Sequence, residues 1–267
     1  MKFIEIINIE ELDILKSDYM NGITSPLDGM WSTGFVPQAK HYGIYGNDKL
    51  IGYFCINGDG YILQYNLDEL LKYQMSDVFK LILESKSNSV GVINGAFCST
   101  AEPAFLSVCL DHFLEHKVNA LMYKENPILK DEAEGIDLSL LDTNDLARVV
   151  GFVHQAIGAP VDWLKMYLNN LIERRELYAY FLNENIVATG ECRKFDKYQI
   201  DCADLGVIVS SQYRRKGVAT SVLKGLKNIA RSNELLSMCS TESENIGAQK
   251  AITQAGFISD NRIIQFR

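Results

Sequence analysis

Between Asp204 and Thr220 the chain reads Asp-Leu-Gly-Val-Ile-Val-Ser-Ser-Gln-Tyr-Arg-Arg-Lys-Gly-Val-Ala-Thr, a strand-like run that meets a helix through a basic, glycine-bearing turn. Val207, Ile208 and Val209 are consecutive β-branched residues, the signal of a buried strand. From Val218 onward Val218, Val222, Leu226 and Ile229 recur at helical spacing, which starts a helix near Gly217. A helix start leaves unpaired backbone N–H groups at the positive end of the macrodipole, so it attracts an anion wherever the backbone can be approached closely. Gly217 and Ala219 permit that approach. Arg214, Arg215 and Lys216 add positive charge at the same place, in a chain whose formal net charge is -8. The chemistry on offer is phosphate binding.

Such a junction needs a sheet in front of it and further elements behind. Residues 176–183 and 186–193 read as two strands joined at Glu184-Asn185, and residues 199–209 as a third. Residues 235–240 read as another short strand, followed by Asn245-x-x-Ala248 and then Gly256-Phe257.

The spacing Arg214-x-x-Gly217-x-Ala219 resembles the Arg/Gln-x-x-Gly-x-Gly/Ala signature of the GNAT N-acetyltransferase superfamily, which holds the pyrophosphate of acetyl-coenzyme A on backbone amides. Asn245-x-x-Ala248 with Gly256-Phe257 also resembles that superfamily, in which an Asn begins the next helix and Gly-Phe closes it into the last strands. The two motifs stand in the family's order, separated by one helix and one strand. The resemblance implies a GNAT domain over residues 136–267, with acetyl-coenzyme A as co-substrate. It implies further that the backbone of Val207, Ile208 and Val209 pairs with the pantetheine arm, one of its N–H groups polarising the thioester oxygen. Arg214, Arg215, Lys216, Gly217, Val218, Ala219 and Thr220 would hold the pyrophosphate, and Asn245 would contact the cofactor from the next helix.

Acetyl transfer from a thioester to an amine needs a neutral amine, a polarised carbonyl and a proton for the departing thiolate. The superfamily performs it directly, without a covalent enzyme intermediate. Asp204, Glu191 and Glu242 are the candidate general bases, each on or beside a strand that could face the cleft; Asp204, three residues before Val207, is the first choice. Counting from Asn245, the position where many family members carry a tyrosine as general acid is occupied by Ile252, which cannot donate a proton. Either another group such as solvent or Ser243 supplies it, or the enzyme is slow, or the fold binds acyl-coenzyme A without much catalysis.

The first half carries signals of its own. Residues 10–20 read as a helix with Leu12, Leu15 and Tyr19 on one face, and residues 21–34 as a loop. A hairpin over 41–45 and 50–56 precedes strands at 61–65, 90–93 and 119–123 and helices at 67–84 and 104–115. The order matches that of the second half, which predicts a degenerate GNAT-like domain over residues 1–126. Its strand-to-helix junction, Tyr65-Asn-Leu-Asp-Glu-Leu-Leu, has no glycine and two acids where phosphate would sit, so this copy is expected not to bind coenzyme A. Residues 127–135 are charged and end in Gly135, the natural linker. Residues 136–141 open the second domain as a strand, Thr143 caps a helix to about 157, and a second helix spans about 161–175. In GNAT enzymes this two-helix region lines the acceptor site, which points to Trp163, Met166 and Tyr167.

The expected fold class is α/β (α+β): two GNAT-like domains, each a mixed, mostly antiparallel sheet flanked by helices. An apolar share of 47% with 22% charged residues suits a globular chain. No stretch is long and apolar enough to span a membrane, and the first residues lack a signal-peptide core, which predicts a cytoplasmic protein. Six scattered cysteines without a C-x-x-C pair predict free thiols and no zinc; His112 and His116, four apart with Asp111 and Glu115 nearby, have a metal-compatible spacing but read as a solvated helix face. A pI near 5.1 argues against nucleic acid and is compatible with an amine substrate. The reading is an acetyl-coenzyme A-dependent N-acetyltransferase acting on a primary amine of a small molecule or peptide, with no membrane partner and the oligomeric state open, a homodimer included. A catalytically weak acyl-coenzyme A-binding sensor or interaction module is the alternative. Tandem halves also occur in aminoacyl transferases that use charged tRNA, against which the intact coenzyme A loop and the acidic balance speak.

Overall fold

The computed structural model describes residues 1–85, 90–126, 128, 135–195 and 197–267. The chain packs into two compact units, Met1–Leu121 with Asn261–Arg267, and Met122–Asp260. The expected linker 127–135 falls outside the described residues except for Ile128 and Gly135.

The first unit begins with β1 (Lys2–Ile6), α1 (Asp13–Asn21) and a short α2 (Val36–Gln38). The meander β2 (Lys40–Gly46), β3 (Lys49–Ile56) and β4 (Tyr61–Leu67) follows. Its first turn places Asn47 and Asp48 at φ 50° and 59°, the left-handed pair that a tight hairpin requires. Then come α3 (Met75–Glu84), β5 (Gly95–Ser99), α4 (Pro103–His112) and β6 (His116–Glu125), whose last residues, from Met122, belong to the second unit. β1 to β4 pair antiparallel in order; β5 lies parallel to β4 on one side and antiparallel to residues 263–266 on the other. Tyr42, Phe54, Tyr65, Phe79, Phe105 and Phe266 make the core, a set of buried rings that no strand or helix could leave in water.

Two expectations for this unit change. The strand predicted at 90–93 lies instead at Gly95–Ser99, because Gly91 turns into the left-handed region at φ 81° and interrupts extension. The helix predicted over 67–84 is α-helical only from Met75; Asp68 accepts a hydrogen bond from the Leu70 N–H and opens a 3-10 turn, Glu69–Gln74, ahead of it.

The second unit contains β7 (Ser139–Leu140), α5 (Leu146–Ile157), α6 (Val161–Glu173), β8 (Leu177–Leu182), β9 (Asn185–Lys194) and β10 (Cys202–Val209). It continues with α7 (Val218–Ser232), β11 (Leu236–Glu242), α8 (Ile246–Gln254) and β12 (Phe257–Phe266), of which residues from Asn261 belong to the first unit. β7, β8, β9 and β10 pair antiparallel and β11 joins β10 in parallel. Val149, Val153, Leu164 and Leu168 of α5 and α6 cover one face of the sheet at Leu177 and Ala179. α7 covers the other, where Gly190 admits the Leu226 side chain to 3.0 Å from its Cβ position. The strand predicted at 136–141 is reduced to Ser139–Leu140, and Asp142, not Thr143, caps the next helix. Its carboxylate accepts from the Asn144 N–H and the Asp145 carboxylate accepts from the Asp142 N–H, a capping box.

Among the described residues no helix is long and apolar enough to cross a membrane, and all six cysteines are buried free thiols.

Candidate active site

β10 and β11 pair only where they begin, Cys202–Asp204 against Leu236–Met238. Beyond Asp204 they part, while β10 stays bonded to β9 through Val209. One edge of residues 205–209 therefore faces an opening, and no described residue of β11 pairs with it. An extended ligand can lie there as a substitute strand, with main-chain groups for partners.

The opening leads to the start of α7. Arg215 and Gly217 sit at φ 61° and 81°, and this left-handed kink turns the chain from the 3-10 turn Ser211–Tyr213 into the helix. The first helical bond is Ser221 N–H to the Gly217 carbonyl at 3.0 Å. Among the described residues no acceptor takes the N–H groups of Lys216, Gly217, Val218, Ala219 or Thr220. A side chain at Gly217 would meet nothing within 4 Å, so this row of amides is open to a ligand. Donors aligned at the head of a 15-residue helix bind an anion by dipole and hydrogen bond together.

The side chains divide the work. Arg214 folds back to donate to the carbonyls of Val209 (3.1 Å) and Ala156 (2.8 Å), which ties the kink to β10 and to the end of α5. Lys216 rests 5.2 Å from the centre of the Tyr213 ring, with Arg215 exposed beside it. Thr220 Oγ1 donates to the Ala251 carbonyl of α8 at 3.3 Å. Asn245 caps α8, its Oδ1 accepting from the Ala248 N–H at 3.1 Å.

Two of the three candidate bases come together. Thr189, Glu191 and Arg193 of β9 share one face with Asp204, Gly206 and Ile208 of β10, in direct register. Arg193 lies 3.0 Å from Glu191 Oε2 and also grips Asp204 Oδ2. Tyr167 of α6 completes the group: its hydroxyl donates to Glu191 Oε2 at 2.6 Å and accepts from Arg193 at 2.7 Å. Burial lowers the guanidinium's pKa, but the Asp204 and Glu191 charges outweigh burial and hold it well above the usual value. Burial, and then the Glu191 charge, raise the Tyr167 phenol's pKa. Gly206 stands opposite Glu191, and a Cβ there would approach Glu191 Oε2 to 3.2 Å. The Trp163 ring stacks on Tyr167 at 4.9 Å, and Met166 lies 70% exposed beside them. Glu242, by contrast, is exposed at the end of β11, and Ile252 is 4% exposed inside α8. Arg193 went unnoticed in the sequence, although a period of two from Glu191 along a strand puts it on the same face.

The corresponding opening in the first unit is crossed. β4 and β5 pair over Tyr61–Ile62 and Gly95–Ala96 and then part. Asn66 Nδ2 reaches across to the Leu15 carbonyl at 3.0 Å, the Thr24 N–H donates to the Ala101 carbonyl at 2.9 Å, and the Tyr19 hydroxyl donates to Glu102. α1 and the residues after it thus bridge the gap. Glu102 is 3% exposed; burial pushes its pKa up to about 8, against the pull of the Ser99 N–H. At the start of the following helix Asp68 already occupies the Leu70 amide. Among the described residues no group of three or more His, Cys, Asp or Glu is placed to hold a metal ion.

Residues 8–126 match the family model described as acetyltransferase (GNAT) domain, and residues 143–257 the one described as acetyltransferase (GNAT) family. A solved acetyltransferase of the GNAT family from Colwellia psychrerythraea is 45% identical over 100% of this chain and 99% of that one, with a TM-score of 0.95. The chain therefore belongs to the GNAT acetyltransferase family and carries two of its domains in tandem. The fold is shared with a GCN5-related N-acetyltransferase from Sphaerobacter thermophilus (13% identity, 99% and 95% covered, TM-score 0.62). It is shared as well with a tandem GNAT protein of the clavulanic acid biosynthesis pathway (12%, 100% and 98%, TM-score 0.61). No curated protein matches the sequence.

Proposed function

We propose that the protein transfers an acetyl group from acetyl-coenzyme A directly to a primary amine of a small molecule or peptide, at the opening between β10 and β11. The parting of these strands beyond Asp204, leading to the unpartnered amides of residues 216–220, is the observation that carries this reading. Pantetheine would extend along Val207, Ile208 and Val209, and the pyrophosphate would rest at Gly217. Arg214 would hold the loop in shape, while Arg215 and Lys216 supply charge. Running back along β10 from the phosphates, the thioester arrives near Gly206, which favours Glu191 over Asp204 and Glu242 as base. The acidic balance suits an amine and disfavours nucleic acid, and a cytoplasmic setting suits the cofactor.

Calorimetric titration of acetyl-coenzyme A into the wild type and Gly217→Glu tests the site. Binding to the first and its loss in the second are expected; equal binding to both refutes the site, and absence from both refutes the cofactor. Ile252 favours a second reading, an acyl-coenzyme A sensor. Turnover with tryptamine, spermidine, lysine methyl ester and a short peptide separates the two.

A further inference from the structure

Resting on that reading, we propose that the acceptor is an aromatic amine, a primary amine on a short alkyl arm, and that its ring stacks on the exposed face of Trp163. The place of Trp163 follows from how α5 and α6 cross the sheet. α5 starts over β8, where the Arg148 guanidinium lies 5.0 Å from the centre of the Phe181 ring, and ends at the kink before α7, where the Ala156 carbonyl accepts from Arg214 at 2.8 Å. α6 leaves that same corner and descends to the foot of β8, where Arg174 donates to Glu176 at 3.0 Å. Its first two turns therefore pass over β9 and β10, in line with Ile208 packing against the α5–α6 core and with Tyr167 reaching Glu191 and Arg193. Trp163 stands in the first of these turns. The far edge of β10 is the one left unpaired beyond Asp204, so Trp163 flanks the open strand at the corner that Arg214 holds.

The surface at this corner is apolar and uncovered. Trp163 is 45% exposed although Tyr167 shields one face of its indole, stacked at 4.9 Å and 9°. What water sees is the opposite face, a flat platform. Met166, three positions on along the same side of α6, is exposed as well, and so is Ile157 at the end of α5. Apolar groups gathered in water beside a site are the mark of a surface that a ligand covers. A flat indole gains most from a flat partner, since stacked rings attract beyond the area they bury, and the polarisable Met166 thioether suits a ring edge. An aliphatic polyamine offers neither. Tyr167 is itself held by Glu191 and Arg193, so the platform is ordered before the ligand arrives and little is lost in fixing it. The net charge of -8 draws the cationic amine in the same direction.

Initial rates with tryptamine, phenethylamine, hexylamine and spermidine at saturating acetyl-coenzyme A test the assignment. The kcat/KM for tryptamine should exceed that for hexylamine by about tenfold, the scale of one ring stack. Trp163→Ala should raise the KM for tryptamine by about the same factor, while its kcat, the KM for spermidine and the acetyl-coenzyme A dissociation constant all stay within about twofold. Trp163→Phe should recover most of the loss. A merely structural residue would move the KM of every amine alike. Preference for hexylamine or spermidine, an equal effect of Trp163→Ala on all four amines, or a changed oligomeric state of that variant with unchanged selectivity each overturns the assignment. If no amine turns over, calorimetric titration of tryptamine into the coenzyme A complex replaces the rates. Absence of binding there, or binding that Trp163→Ala leaves intact, overturns the assignment and leaves the cofactor site standing. A wild type that binds no acetyl-coenzyme A overturns the proposed function itself and the acceptor with it.

Discussion

Gly206 and Glu191 face each other across the β9–β10 pair, and the space a side chain at 206 would fill is bounded by the Glu191 carboxylate itself. A methyl group there would stand 3.2 Å from Oε2 and 3.3 Å from Cδ, closer than these atoms settle unstrained. Gly206→Ala should therefore push the carboxylate off Tyr167. The expected result is a drop in kcat of at least tenfold at a stability cost of about 1–3 kcal/mol, the usual range for overfilling a packed site. Chemical denaturation and steady-state turnover on the same preparation separate the two effects.

Arg193 neutralises two carboxylates from a side chain only 14% exposed, with Glu191 at 8% and Asp204 at 3%. Arg193→Met would leave both acids facing each other without a cation. Breaking a buried pair by removing one partner costs about 3–5 kcal/mol, because the remaining charge is uncompensated. Arg193→Met with Asp204→Asn should recover part of that loss, since one of the stranded charges is removed with it. Urea unfolding of the two variants decides it; a double variant no more stable than the single one would refute the account.

The phosphate-binding junction was legible in the sequence because it is local: a β-branched run, a left-handed glycine and a helix period lie within 17 consecutive residues. The site cluster was half legible. Asp204 and Glu191 were found, but the cation between them was not, since pairing Arg193 with Asp204 requires the β9–β10 register, which no local pattern contains. β5 was misplaced for a related reason. Gly95–Ser99 is a run of mostly small residues, held as a strand by its neighbours, whereas the β-branched residues just before it look more extended than Gly91 allows. Gly135, read as linker punctuation, lies so close to α7 that a Cβ would fall 2.4 Å from the Gly225 nitrogen. The return of residues 261–267 to the first unit likewise depends on pairing with β5, a contact more than 160 positions away in the chain.

Glu102 predicts a pH dependence of stability with a definite sign. Its pKa is raised from 4.5 to about 8 by burial, so the unfolded chain releases this proton well before the folded one does. Stability should therefore fall as pH rises from about 4.5 to about 8, at up to about 1.4 kcal/mol per pH unit. His41 works in a lower window. Burial and then the Lys16 charge lower it from 6.5 to about 4, so it takes stability away only as pH falls below 6.5. Between pH 6.5 and 8 Glu102 thus acts without His41, and Glu102→Gln should flatten the slope there. Thermal denaturation across that interval measures it; an unchanged slope in the variant would place the titration elsewhere.

The contrast between the two openings predicts how many cofactor molecules each chain takes up. In the second unit one edge of residues 205–209 is left unpaired by β11, and among the described residues the amides beyond them have no partner. In the first, α1 and the residues after it reach from Asn66 on β4 to Ala101 and Glu102, and a ligand entering there would have to break three hydrogen bonds, one of them to a carboxyl group that burial keeps protonated. Nor is there a glycine kink before α3; Asp68 caps that turn and would repel a phosphate. Titration should therefore saturate at one acetyl-coenzyme A per chain. Gly217→Glu should abolish the whole isotherm, whereas a second, weaker isotherm that survives the substitution would show that the first unit opens and binds.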